Sequence, residues 1–129
     1  MRNNTVKLDG GGEFSYGITN KSGHPDKNGM YIYIASVHAG FTDNGKIKKN
    51  SHTVERMLNF IIDNLPQVQF IRAYPVSNQS AKILKKAIER IFGETIEIKS
   101  RESFVFHISP TWHSGRKKIK EYNSLDSED

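Results

Sequence analysis

Residues 68–92, VQFIRAYPVSNQSAKILKKAIERIF, limit the fold of this chain more than any other stretch. A run rich in apolar residues ends in Ser77-Asn78-Gln79-Ser80, and a helical pattern starts at once. Within that pattern Ala81, Leu84, Ala87, Ile88 and Ile91 recur on one side, while Lys82, Lys85, Lys86 and Arg90 fall elsewhere. Gly93 supplies the stop, because glycine tolerates the left-handed backbone that closes a helix. A strand feeding a helix with no linker is the building unit of an α/β sheet. Such a junction also gathers unpaired backbone N–H groups where an anionic or polar ligand can dock.

A second unit lies upstream. MYIYIASV, residues 30–37, is apolar or aromatic on both alternating faces, which predicts a central strand in a sheet covered on both sides. SHTVERMLNFIIDNL, residues 51–65, places Val54, Met57, Leu58, Ile61 and Leu65 on one helical face, with Asn50 or Ser51 as the cap and Pro66 beyond the end. With the strand at 68–76 this makes a right-handed parallel β-α-β unit. Residues 4–9 and 13–18 read as strands around Gly10-Gly11-Gly12, and 19–29 as a loop. Residues 94–99 and 103–108 read as a hairpin around Ser100-Arg101-Glu102, with Pro110 ending the last strand. The predicted order is β-β-β-α-β-α-β-β, an α/β fold with a mixed central sheet and a helix on each side.

Composition narrows the chemistry. The chain has 129 residues, 36% hydrophobic and 26% charged, which suits one domain with an ordinary core. The tail 111–129 changes character, with Arg116, Lys117, Lys118 and Lys120 followed by Asp126, Glu128 and Asp129, and is expected to be partly disordered. The domain is therefore placed at 1–110. Without cysteine there is no disulfide, thiol nucleophile or thiolate metal site. The five histidines lack metal-ligand spacing, so no metal is expected. No apolar run reaches the ~20 residues of a membrane span, and MRNNTVKLDGGG lacks a signal-peptide core, so no membrane partner and a cytoplasmic location are expected. A net charge of +5 favours a phosphate-bearing partner, either a nucleotide cofactor or nucleic acid; a lysine-rich surface kept for solubility is the plain alternative.

The predicted order, together with Asn78-x-x-Ala81-x-x-Leu84, resembles the GNAT superfamily of N-acetyltransferases from their second strand onward, over residues 4–108. The resemblance implies acetyl-CoA as substrate, with its pantetheine arm between the strands at 30–37 and 68–76. It places Ala35, Ser36 and Val37 along the acyl thioester and Asn78 beside the cofactor; by its position alone Asn78 also suits a helix cap. It sets the pyrophosphate against the loop 45–52, where Lys46, Lys49, Asn50 and Ser51 stand and the family's two glycines are missing. Lysines there would bind phosphate as point charges. The family's tyrosine acid corresponds to Lys85, leaving Tyr74 as the substitute acid. His38, just past the strand 30–37, is the candidate base that takes the acceptor's proton; a loop histidine without a role is the plain alternative.

The family's first strand and first two helices have no counterpart here, which implies an open acceptor face. Such a face suits a macromolecular acceptor, a site completed by a homodimer partner, or a fold that has lost catalysis. The expected function is transfer of an acetyl group from acetyl-CoA to an amine on a protein or small molecule. The rivals are a non-catalytic module of the same fold that binds a protein, and a nucleic-acid binder using basic patches at 46–49, 82–90 and 116–120 with Tyr and Phe for stacking.

Overall fold

The computed structural model describes residues 4–40, 44–46 and 52–108. Their elements run β1 (Asn4–Lys7), β2 (Glu13–Thr19), β3 (Tyr31–His38), α1 (Thr53–Asn64), β4 (Phe70–Ala73), α2 (Asn78–Phe92) and β5 (Phe104–His107). The five strands form one mixed sheet in the order β1-β2-β3-β4-β5. Only β3 and β4 are parallel; the other neighbours are antiparallel. Parallel neighbours need a crossover between them, and α1 provides it.

The β1–β2 turn follows from its glycines. Gly10, Gly11 and Gly12 have φ of 86°, 100° and 85°, and the Leu8 N–H donates to the Gly12 carbonyl at 2.9 Å. Side chains rarely accept that backbone. At the other end, α2 closes on Gly93 at φ 71°, whose N–H donates to the Glu89 carbonyl.

One core holds the domain. Registers align Ile32, Ile71 and Phe106 across β3, β4 and β5. These residues and Phe14 are buried in a single cluster with Met57, Leu58, Ile61 and Ile62 of α1 and Leu84, Ala87, Ile88, Ile91 and Phe92 of α2. Full burial of each large aliphatic side chain contributes about 1.5–3 kcal/mol. The α2 stripe is the expected one. In α1, Met57, Leu58 and Ile61 are buried as expected, Val54 and Leu65 only partly, and Ile62 joins them.

Four expectations give way. First, both helices share one face of the sheet, since their apolar stripes meet in the same cluster; among the described residues no helix covers the other face. The rows on that face are Tyr31–Phe70–His107 and Tyr33–Arg72–Val105, and a guanidinium and an imidazole make a poor bed for a second amphipathic helix. Second, residues 94–99 form no strand, so the 94–99/103–108 hairpin is absent and the observed order is β-β-β-α-β-α-β. The segment runs beside α2 instead: the Ile96 N–H donates to Glu89 Oε2 at 3.4 Å, the Arg101 N–H donates to the Pro75 carbonyl at 2.7 Å, and Ile96 and Ile98 pack on the core. Alternation there records an extended chain lying on a helix, which period alone cannot tell from a ladder. Third, the strand expected at 68–76 is shorter and spans only Phe70–Ala73. Fourth, α1 starts at Thr53 with His52 in the N-cap position and no side-chain cap; Asn50 and Ser51, the expected caps, lie outside the described residues, as do Pro110 and the tail 111–129.

Candidate functional site

The C-terminal ends of β3 and β4 point the same way, and there the sheet opens. The β3–β4 ladder has only the pairs Tyr31–Phe70, Ile32–Ile71 and Tyr33–Arg72. Beyond Tyr33, β3 continues to His38 against β2 alone, while β4 stops at Ala73. The β2–β3 register also slips: Ser15 faces Ser36 and Tyr16 faces Ile34, so Ala35 is an extra residue bulged out of the ladder. The Met30 carbonyl accepts from the Gln69 and Phe70 N–H groups, so alternate residues from Met30 turn their polar backbone toward β4. By that alternation Ile34 does the same, and after the bulge so does Val37. On the side away from β2, residues 35–37 thus have no ladder partner among the described residues.

Two exposed residues flank this edge. His38 closes β3, and Tyr74, 50% exposed, follows the last residue of β4. They share one end of the sheet, but no hydrogen bond joins either to another described side chain.

The start of α1 sits at the same end, held by contacts far apart in sequence. Glu13 pairs with His38, which brings the β1–β2 turn to the end of β3. Arg56 Nη1 donates to the carbonyls of Asp9 and Gly11, both at 2.6 Å, and burial lowers the pKa of its guanidinium. A Cβ on Gly12 would lie 2.8 Å from the His38 carbonyl oxygen and 3.0 Å from Thr53 Cγ2. Glycines therefore do approach the α1 start, but from residues 10–12 and not from the loop before the helix. The Gly-Gly-Gly run was legible as a turn; its closeness to α1 depends on a register that local sequence does not encode. Glu55, 8% exposed in the first turn, meets His52 Nδ1 at 3.2 Å and Arg90 Nη1 at 3.4 Å, which ties α1 to the far end of α2. Lys46 is exposed; Lys49, Asn50 and Ser51 lie outside the described residues.

At the α2 start the cap is Ser77, whose Oγ accepts the Ser80 N–H at 3.1 Å. Asn78 is the first helical residue, so its capping role falls away. Its Oδ1 accepts from the Ser100 hydroxyl at 2.7 Å, which turns the side chain toward the returning segment. Lys85, at the position of the family's acid, donates to Glu89 at 2.8 Å. That hydrogen bond, opposed by burial and aided by the charges of Glu89 and Glu97, raises the pKa of the ammonium and makes it a poorer proton donor.

On the open face Tyr31 stacks on Phe70 at 4.4 Å, and Phe70 on His107 at 4.7 Å. Arg72 lies 4.9 Å from the Tyr31 ring centre and donates to the Lys21 carbonyl at 2.8 Å. His107 is thus a packed edge residue, away from the opening. Among the described residues no group of three or more His, Asp or Glu side chains is placed to hold a metal, and no helix is long and apolar enough to cross a membrane. Compared with protein families, curated proteins and solved structures, the chain matches none.

Proposed function

We propose that the chain binds an acyl-CoA in the opening between β3 and β4 and transfers the acyl group to an amine on a small molecule or a protein. The observation that carries this reading is the β3 edge beyond the last β4 pair: past Tyr33–Arg72, β3 continues to His38 with no ladder partner on that side among the described residues, and Ala35 is bulged within it. An extended pantetheine arm has amides that complement such an edge, as an added strand would. The resemblance to the GNAT superfamily assigns the same segment to the same task. Acetyl-CoA would lay its thioester along Ala35, Ser36 and Val37, with its pyrophosphate toward Lys46, Lys49, Asn50 and Ser51 at the start of α1.

The chemistry asked of the site is modest. The amine nitrogen attacks the thioester carbonyl, the C–N bond forms, and the C–S bond breaks with the electron pair leaving on sulfur. A strand-edge N–H supports the transient oxyanion. His38 takes the amine proton, and Tyr74 supplies one to the departing thiolate, whose ordinary pKa of about 8.5 makes it a tolerable leaving group unaided. Positioning then provides most of the acceleration.

Titration calorimetry of the full chain with acetyl-CoA and with free CoA tests the reading. Saturable heat with both is expected, and Lys46→Glu/Lys49→Glu should weaken each about tenfold, the equivalent of ~1.4 kcal/mol. No heat at ~1 mM, where even a weak complex of about −4 kcal/mol would register, sinks it. A second reading, the same fold binding a protein without chemistry, draws on the Lys85–Glu89 ion pair and the Asn78–Ser100 bond, which engage two positions the family uses for catalysis and cofactor. Binding of acetyl-CoA without turnover over a panel of amines selects that reading. Nucleic-acid stacking is less favoured, because Tyr31 and Phe70 spend ring faces on each other, on His107 and on Arg72.

A further inference from the structure

A second concavity lies outside the β3–β4 opening. It is a groove of about 460 Å³ between the first turns of α2 and the returning segment 98–102. Ala81 and Ile98 form its apolar part. Lys82, Lys85 and Lys99 surround it, and Asn78 and Ser100 close one end with the hydrogen bond described above. Lys85 has its carboxylate partner in Glu89 at 2.8 Å. Lys82 and Lys99 make no ion pair among the described residues, and the one carboxylate on the groove wall is Glu102.

Exposed lysines on a helix ordinarily point apart into water, where their repulsion is screened. Here lysines from two segments line one concave site. The Asn78 amide adds two donors, because its oxygen is already taken by Ser100 and its nitrogen is not. Cations and amide donors around a partly apolar hollow match a phosphate joined to a flat or apolar body, and the volume lies in the range of small-ligand sites.

We infer that this groove is a binding site for a phosphorylated small molecule of nucleotide size, held by Lys82 and Lys99 at its phosphates and by Ile98 and Ala81 at its less polar part. The site lies outside the β3–β4 opening, although the family resemblance also sets its Asn78 beside the acyl-CoA. Its phosphates lie on the side of α2 where residues 98–102 return toward β5, and not at the start of α1.

Amide NMR of the full chain, titrated with ADP, inorganic pyrophosphate and adenosine, tests the inference. ADP and pyrophosphate should give saturating shifts centred on Ala81, Ile98 and Ser100, and adenosine much weaker ones. Lys82→Gln/Lys99→Gln should weaken both phosphorylated probes at least about tenfold, which is ~1.4 kcal/mol, while Lys7→Gln on β1 should leave them unchanged. Both positions are exposed, so the fold should persist in the variant, and its unperturbed core resonances would verify this. Shifts that fail to saturate and spread over lysines across the surface overturn the proposal. So does a double variant that binds as tightly as the native chain. Acetyl-CoA binding is read separately by calorimetry, so either site can fail without the other.

Discussion

The two helices begin at the same end of the sheet, and they begin in opposite ways. The α2 start is local: Ser77 caps it three residues ahead of the N–H it satisfies, and the strand before it is four residues away. The α1 start is assembled from a distance. It has no side-chain cap, His52 sits at φ 54°, and its anchorage comes from Arg56 on the β1–β2 turn and from Glu55 reaching Arg90. A junction built locally identifies an architecture. One built from three separated segments can be reshaped, and it is the one beside the strand edge proposed to bind a ligand.

The sharpest way to break this contrast is Gly12→Ala. The position combines φ of 85° with a Cβ that would fall 2.8 Å from the His38 carbonyl oxygen. Left-handed strain alone costs about 1–2 kcal/mol, and a clash with backbone cannot be relieved by a rotamer change. We expect a loss of about 2–4 kcal/mol in urea-unfolding free energy, with NMR shifts that spread from the turn to Thr53 and Arg56. A loss below ~0.5 kcal/mol would show that the turn and α1 are not mechanically coupled.

Ser77→Ala is the matching change at α2. It removes one acceptor for the Ser80 N–H and should cost about 1 kcal/mol, the usual value of a serine cap. Its effect should stay within the first turn of α2. If it instead perturbs His38 or Tyr33, the two starts are linked through the β3–β4 opening and the contrast fails.

The same contrast explains what the sequence made legible. The α2 stripe, its glycine stop and the parallel β3-α1-β4 unit all rest on periodicity and punctuation, which act within a few residues. The free β3 edge was expected only through family resemblance. Its physical basis, a bulge at Ala35 and a ladder ending at Tyr33, is a property of register between strands far apart in the chain. Asn78 was singled out from its spacing, yet the hydroxyl that fixes its orientation is Ser100, in the turn of an expected hairpin that does not form. The error at 94–99 and the unforeseen Ser100–Asn78 bond have one cause: Ile96 and Ile98 alternate because they lie against α2, and that same packing delivers Ser100 to Asn78. A helix on each side was expected because β3 is apolar on both faces. Tyr31 on the outward face found aromatic and guanidinium partners within the sheet, so no second helix layer was required.

The smallest effect separates α2 from its groove. The Glu89 carboxyl is held below the ordinary carboxylate range, first by its hydrogen bond from Lys85, then by the Ile96 N–H and the Lys85 charge, with burial opposing. A depressed folded-state pKa means that the interaction stabilises the fold above the ordinary carboxylate pKa and is lost as pH falls through the depressed one. Lys85→Met should therefore return Glu89 toward the ordinary range and flatten the acid limb of the stability curve: the loss shows above the ordinary carboxylate pKa, is small because the pair is solvent-screened, and disappears in acid. The titration of the Glu89 side-chain carbons by NMR reads this directly. In the groove, the same substitution removes an ammonium that is already balanced by a carboxylate, so it should weaken pyrophosphate far less than the loss of Lys82 and Lys99. Equal weakening would mean that the Lys85–Glu89 pair opens to engage the ligand, and that the groove draws its charge from all three lysines.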